Sequence, residues 1–169
     1  VARRFFSSGE GDSLSGFNGR DYSAPAQVRV RIRNANATTS AGPVMLLNNP
    51  FTTFASLVSM GDDIAAMPAR RFPIDASKIF GRRTVVAEFR LTLPTGWIAR
   101  IPTGVSASSV FGSYVTTYAQ NGRELVMTRR LVGGTGIFMP GRVGELVTWL
   151  RAIGHDDVKL IVLEKPAKS

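Results

Sequence analysis

Cysteine is absent from this chain and histidine occurs once, as His155. The first absence removes disulfides, thiolate zinc sites and cysteine nucleophiles together. The second leaves no basis for a Ser-His-Asp trio, and no pair of carboxylates is visibly spaced for glycoside hydrolysis. Long apolar runs are missing too: none approaches the roughly 20 residues that a membrane-spanning helix needs. The opening residues, Val1 to Ser8, lack both an initiator Met and the apolar centre of a signal peptide, and read as the start of an excised fragment or processed chain. The lack of cysteine assigns no compartment, because exported domains often have no disulfides either.

What is present is a real core and a one-sided charge. With 169 residues and 44% hydrophobic content, one ordinary domain or two small ones are supported and disorder is not expected. The net charge of +9 comes from 21 basic residues, 17 of them Arg, against 12 acidic ones. Such an excess can attract nucleic acid, acidic polysaccharide or a membrane surface. The basic residues are nonetheless spread as single teeth and isolated pairs (Arg3-Arg4, Arg70-Arg71, Arg82-Arg83, Arg129-Arg130), as expected for solvated faces.

Periodicity organises the chain. Residues 1–26 are rich in Gly, Ser and Asp and read as a loop-rich tail, with one short strand around Phe5 and Phe6. From Gln27 to Arg33 the alternation is strict: Val28, Val30 and Ile32 face one way, Arg29, Arg31 and Arg33 the other. Val44 to Leu47 reads as a short strand ended by Asn48-Asn49-Pro50. Phe51 to Met67 is mixed and fits a helix, a strand plus loop, or an irregular cover. Arg83 to Leu93 is the clearest strand, followed by alternation from Trp97 to Ile101. Two more strands, Tyr114 to Ala119 and Glu124 to Val132, flank Gln120-Asn121-Gly122-Arg123, which predicts a tight hairpin centred on Asn-Gly. From Gly141 to Ile153 the apolar residues Val143, Leu146, Val147, Leu150 and Ile153 recur at helical spacing, with Gly154 as the stop signal. Val158 to Leu163 is a last strand. The pattern predicts a mainly β domain over residues 27–164, an antiparallel β-sandwich of immunoglobulin-like type with one amphipathic helix near the C-terminus, and a short tail at 165–169.

Candidate chemistry is sparse. His155-Asp156-Asp157 is the one place where a histidine adjoins carboxylates, yet a single His without a second ligand is a poor metal site, and a structural or solvated role is expected. Gly133-Gly134-Thr135-Gly136 lacks the Lys-Ser/Thr pair of a phosphate loop and reads as a flexible strand-to-helix connection. Asp62-Asp63 lacks the alternating acidic loop of calcium sites and reads as a solvated turn. Asn36-Ala37-Thr38 matches a glycosylation sequon, a match that arises often by chance. Trp97, Tyr114, Tyr118 and Trp149 could form a sugar-stacking platform but fit better as core or edge aromatics. No catalytic, metal or cofactor residue is assigned. Arg29, Arg31 and Arg33 stand as the candidate anion-binding face, for an anionic polymer or glycan.

Several pieces in a fixed order carry a resemblance: Leu93-Pro94-Thr95-Gly96-Trp97, Pro102, Phe111-Gly112-Ser113-Tyr114, Tyr118, Leu125, Thr128-Arg129-Arg130-Leu131 and the helix with Trp149-Leu150. Over roughly residues 70–164 the chain resembles the C-terminal accessory β-sandwich domain, of unknown function, of secreted bacterial transglutaminase-like proteins. The resemblance implies a noncatalytic module, periplasmic or extracellular, whose partner is an adjoining transglutaminase-like domain in the same protein. The Cys, His and Asp of that domain would lie upstream.

Overall fold

The computed structural model describes residues 10–16, 23, 27–33, 38–41, 43–47, 49–50, 59–80 and 84–165. The chain divides into two compact units, Val1–Thr39 and Ser40–Ser169. The expected strand around Phe5 and Phe6 and the Asn36-Ala37 part of the sequon lie outside the described residues.

In the first unit, Glu10–Ser15 (β1) pairs antiparallel with Arg29–Arg33 (β2), setting Glu10 opposite Arg33 and Ser15 opposite Arg29, with a register shift between Gly11 and Ser13. The second strand is the one its alternation predicts: Val30 and Ile32 are half-buried while the three arginines are exposed. The tail expected over residues 1–26 is corrected at residues 10–15. A Gly- and Ser-rich segment carries no apolar period, so only its ladder with β2 reveals it as a strand.

The second unit is built mainly from antiparallel strands, as expected for the β-sandwich class. One sheet runs Thr84–Thr92 (β6), Glu124–Gly133 (β10), Gly112–Asn121 (β9), Ser106–Ser109 (β8). The other has the order β3–β4–β12–β7, formed by Thr38–Ala41, Val44–Leu47, Ile161–Glu164 and Ile98–Arg100 respectively, β3 straddling the division of the chain. A two-residue ribbon joins Ile74–Asp75 (β5) to Ile137–Phe138 (β11). The helices are Met60–Ala66 (α1), Ser77–Phe80 (α2) and Val143–Asp157 (α3). The first of these settles part of the segment whose periodicity was mixed, whereas residues 51–58 are outside the described set.

The hairpin is formed, but its turn sits one residue later than Asn-Gly would place it. Asn121 pairs with Glu124, leaving Gly122 and Arg123 as the two-residue loop. Gly122 has φ 57°, and the tight hairpin turns that match strand twist require positive φ at this first loop position. Arg123 closes the end, its Nε donating to the Leu93 carbonyl at 2.8 Å.

The inward face of β9 and β10 meets α3. Phe111, Tyr114, Leu131, Leu146, Trp149, Leu150 and Ile153 form one buried cluster with Ile74 and Ala76, and Met60 and Ile64 of α1 pack against it. Gly112 permits the close approach: at φ 150°, a side chain there would run into the Val132 carbonyl and the Trp149 ring. The helix does not stop at Gly154. It continues through His155 to Asp157, with Gly154 itself buried. Glycine inside a helix costs about 1 kcal/mol against alanine, and the contacts made by the two following carboxylates offset it.

Candidate functional site

Successive residues of β10 point to opposite faces, so Leu125, Met127, Arg129 and Leu131 share the inward side. Arg129 is therefore an inward arginine, flanked across the sheet by Ala87 of β6 and Thr116 of β9. On α3 the buried stripe Leu146, Trp149, Leu150, Ile153 advances by three and four residues to Asp156 and Asp157. The two periodicities bring an arginine and two carboxylates into one apolar interior.

There every charge finds a partner. Arg129 donates from a terminal guanidinium nitrogen to Asp157 Oδ1 at 3.0 Å, the two side chains being 7% and 0% exposed. The same guanidinium carbon lies 5.1 Å from the centre of the Tyr114 ring, a cation-π distance. Asp156, also 0% exposed, accepts from the Tyr114 hydroxyl at 2.7 Å and more loosely from Tyr118 at 3.3 and 3.4 Å. Lys159 Nζ stands 2.9 Å from Asp156 Oδ1 and also donates to the Thr103 carbonyl at 2.7 Å. The Asp156 carbonyl accepts from Asn49 Nδ2 at 3.0 Å, tying the helix end to the segment after β4. Two carboxylates and two cations balance, and no buried side-chain nitrogen or oxygen among the described residues lacks a partner.

Burial raises the Tyr114 hydroxyl pKa well above its ordinary value. The Arg129 charge opposes that shift and the hydrogen bond to Asp156 reinforces it. Tyr118 is raised as well, first by burial and then by the negative charge of Asp156. Both phenols are thereby held as neutral donors. The cluster fastens the helix end to β9 and β10 and to the segments that follow β4 and β7.

His155 does not join this cluster: it lies exposed on the last turn of α3, while its two neighbours turn inward. The structural role expected for the His-Asp-Asp run is thus divided, with Asp156 and Asp157 buried and paired and His155 solvated. Asp62 and Asp63 are solvated as expected but lie in the first turn of α1 instead of a loop turn, Asp62 2.7 Å from Arg151 Nε and Asp63 Oδ2 accepting from Ser59 at 2.9 Å. Gly133 closes β10 and Gly134 donates to the Phe111 carbonyl, so the glycine run connects strand β10 to ribbon strand β11 before the helix begins. Tyr114 and Trp149 are core residues, the indole donating to the Ala107 carbonyl at 3.3 Å, and Trp97 and Tyr118 are half-buried.

The three arginines of the candidate anion-binding face do fall together on the exposed side of β2. Arg33 and Arg31 lie 3.1 and 3.9 Å from Asp12, with side chains 66% and 71% exposed. Asp12 and Glu10, the latter directly opposite Arg33, thus face three cations on this hairpin face. Among the described residues no group of three or more histidines and carboxylates is arranged to hold a metal ion, and no helix is long and apolar enough to cross a membrane.

The buried cluster is what sequence reading missed, although two signals for it were present. Arg129 occupies an inward parity position between Met127 and Leu131, and the apolar stripe of α3 runs directly into Asp156 and Asp157. Reading Arg129-Arg130 as a pair of dispersed charges, and Gly154 as a helix stop, hid both. Comparison with known protein families, characterised proteins and solved structures found no match to the chain.

Proposed function

We propose that this chain is a noncatalytic, immunoglobulin-like β-sandwich module of a secreted bacterial protein, periplasmic or extracellular, and that it stabilises or positions an adjoining transglutaminase-like domain. The observation that supports this reading is how Asp156 and Asp157 are used. The carboxylates beside the one histidine are occupied by Tyr114, Tyr118, Lys159 and Arg129 inside the protein, so they serve to hold a helix on a sheet. A general acid or base must instead reach a substrate proton. The test compares the whole protein bearing the transglutaminase-like domain with a version lacking residues 70–164. A lower thermal midpoint or lower activity of the shortened protein is expected, and unchanged behaviour in both overturns the proposal.

A second reading, binding of an anionic polymer or glycan, is favoured by the row of Arg29, Arg31 and Arg33. Their side chains are exposed on one strand face with Asp12 as the carboxylate paired to two of them. Retention on a polyanion column should fall with added salt and drop when all three become Ser. Elution that is indifferent to salt removes this reading.

A further inference from the structure

We infer that the ribbon of β5 and β11 and the segment preceding it form a contact surface for an anionic lipid bilayer, a property independent of the function proposed above. Ile137 pairs with Asp75 and Phe138 with Ile74, so the residues flanking the ribbon emerge side by side. Phe138 and Ile74 turn inward and belong to the core or pack on it. Their neighbours do the opposite: Phe72 is 78% exposed, Ile137 74% and Met139 71%, the three most exposed large apolar side chains among the described residues. Met67, at the end of α1, is exposed as well.

Between Met67 and Phe72 come Arg70 and Arg71, which make no ion pair among the described residues. A shallow depression of about 490 Å³ is lined by Ala69, Arg70, Arg71, Phe72 and Pro73. Asp75, across the ribbon from Ile137, accepts from the amide and hydroxyl of Ser77, both neutral donors, while Asp62 pairs with Arg151 and Glu145 with Arg142. The surface therefore combines projecting apolar side chains with two arginines against the one carboxylate of Asp75 on the ribbon, and apolar burial and positive charge add at an anionic membrane surface.

Charge is what favours an anionic lipid surface as the occupant. The three apolar side chains project with about three quarters of their surface in water and can enter an acyl boundary. A headgroup layer also supplies many phosphates to two adjacent guanidinium groups, in keeping with the +9 charge of the chain.

The experiment uses the full chain and vesicles of phosphatidylcholine with or without phosphatidylglycerol, read by co-sedimentation. Binding is expected only when phosphatidylglycerol is present. Arg70→Ser with Arg71→Ser should weaken it roughly thirty-fold, about five-fold for each basic residue. Phe72→Ser with Met139→Ser should weaken it by roughly tenfold or more. In Phe72→Trp the added indole should shift its emission to shorter wavelength on vesicle addition. All these side chains are exposed, and an unchanged thermal midpoint confirms that the variants fold. Equal binding by parent and variants overturns the inference. So does loss of binding only when Arg29, Arg31 and Arg33 are replaced, or retention by polyglutamate without retention by vesicles.

Discussion

Arg129 on β10 and Asp157 at the end of α3 are joined by a 3.0 Å hydrogen bond in a place that water barely reaches. Twenty-eight residues separate them in the chain. The bond fixes where the helix ends against the sheet, because an uncompensated charge left there would be far costlier than a lost surface ion pair.

Removing one partner should accordingly do more harm than removing both. Arg129→Met or Asp157→Leu is expected to cost about 3–5 kcal/mol. The double variant Arg129→Met with Asp157→Leu should recover a large part of that loss. Urea denaturation of the four proteins measures it, and additive losses would show that the pair is not coupled.

The two tyrosines on Asp156 should be unequal. Tyr114→Phe deletes a 2.7 Å hydrogen bond to a buried charge and is expected to cost about 1–3 kcal/mol. Tyr118→Phe removes contacts of 3.3 and 3.4 Å from a half-buried ring and should cost well under 1 kcal/mol. Thermal melts at neutral pH read the difference, and equal losses would contradict the geometry.

Both phenols have pKa values raised above the ordinary 10.0 in the folded state. Folding therefore favours their protonated forms. Their contribution is fully present below pH 10, where the unfolded chain also keeps those protons. It is lost progressively as pH rises above 10, where the unfolded chain releases protons that the folded one retains. Stability should fall from about pH 10 upward, less steeply in Tyr114→Phe than in the parent. Denaturant midpoints at closely spaced alkaline pH values test the sign.

The hairpin turn rests on Gly122. Replacing it with Val forces a branched side chain into positive φ and is expected to cost about 1–2 kcal/mol, while Gly122→Asn should cost less. A Cβ at this position meets no other heavy atom within 4 Å, so backbone strain is the main cost. A stability equal to the parent for Gly122→Val would mean that the turn has rearranged.

Local periodicity was enough to read much of this fold. The alternation of β2, β6, β9 and β10 and the apolar stripe of α3 are properties of consecutive residues, and each element forms about where its own pattern puts it, although α3 runs on past its expected stop to Asp157. The failures are also physical. β1 has no apolar period and exists through its pairing with β2. The turn moved by one residue because register is shared by ten cross-strand pairs, which outweigh the local preference of Asn-Gly.

What the amino-acid order determined by itself was which side chains share a face: Arg129 with Met127 and Leu131, Asp156 and Asp157 with Ile153. Whether those charges could stay on an apolar face was decided only by the folded chain, which sets Tyr114, Tyr118, Lys159 and Arg129 around the two carboxylates. Facing is dictated within one element by backbone geometry, but neutralising a buried charge needs partners that only long-range packing can deliver.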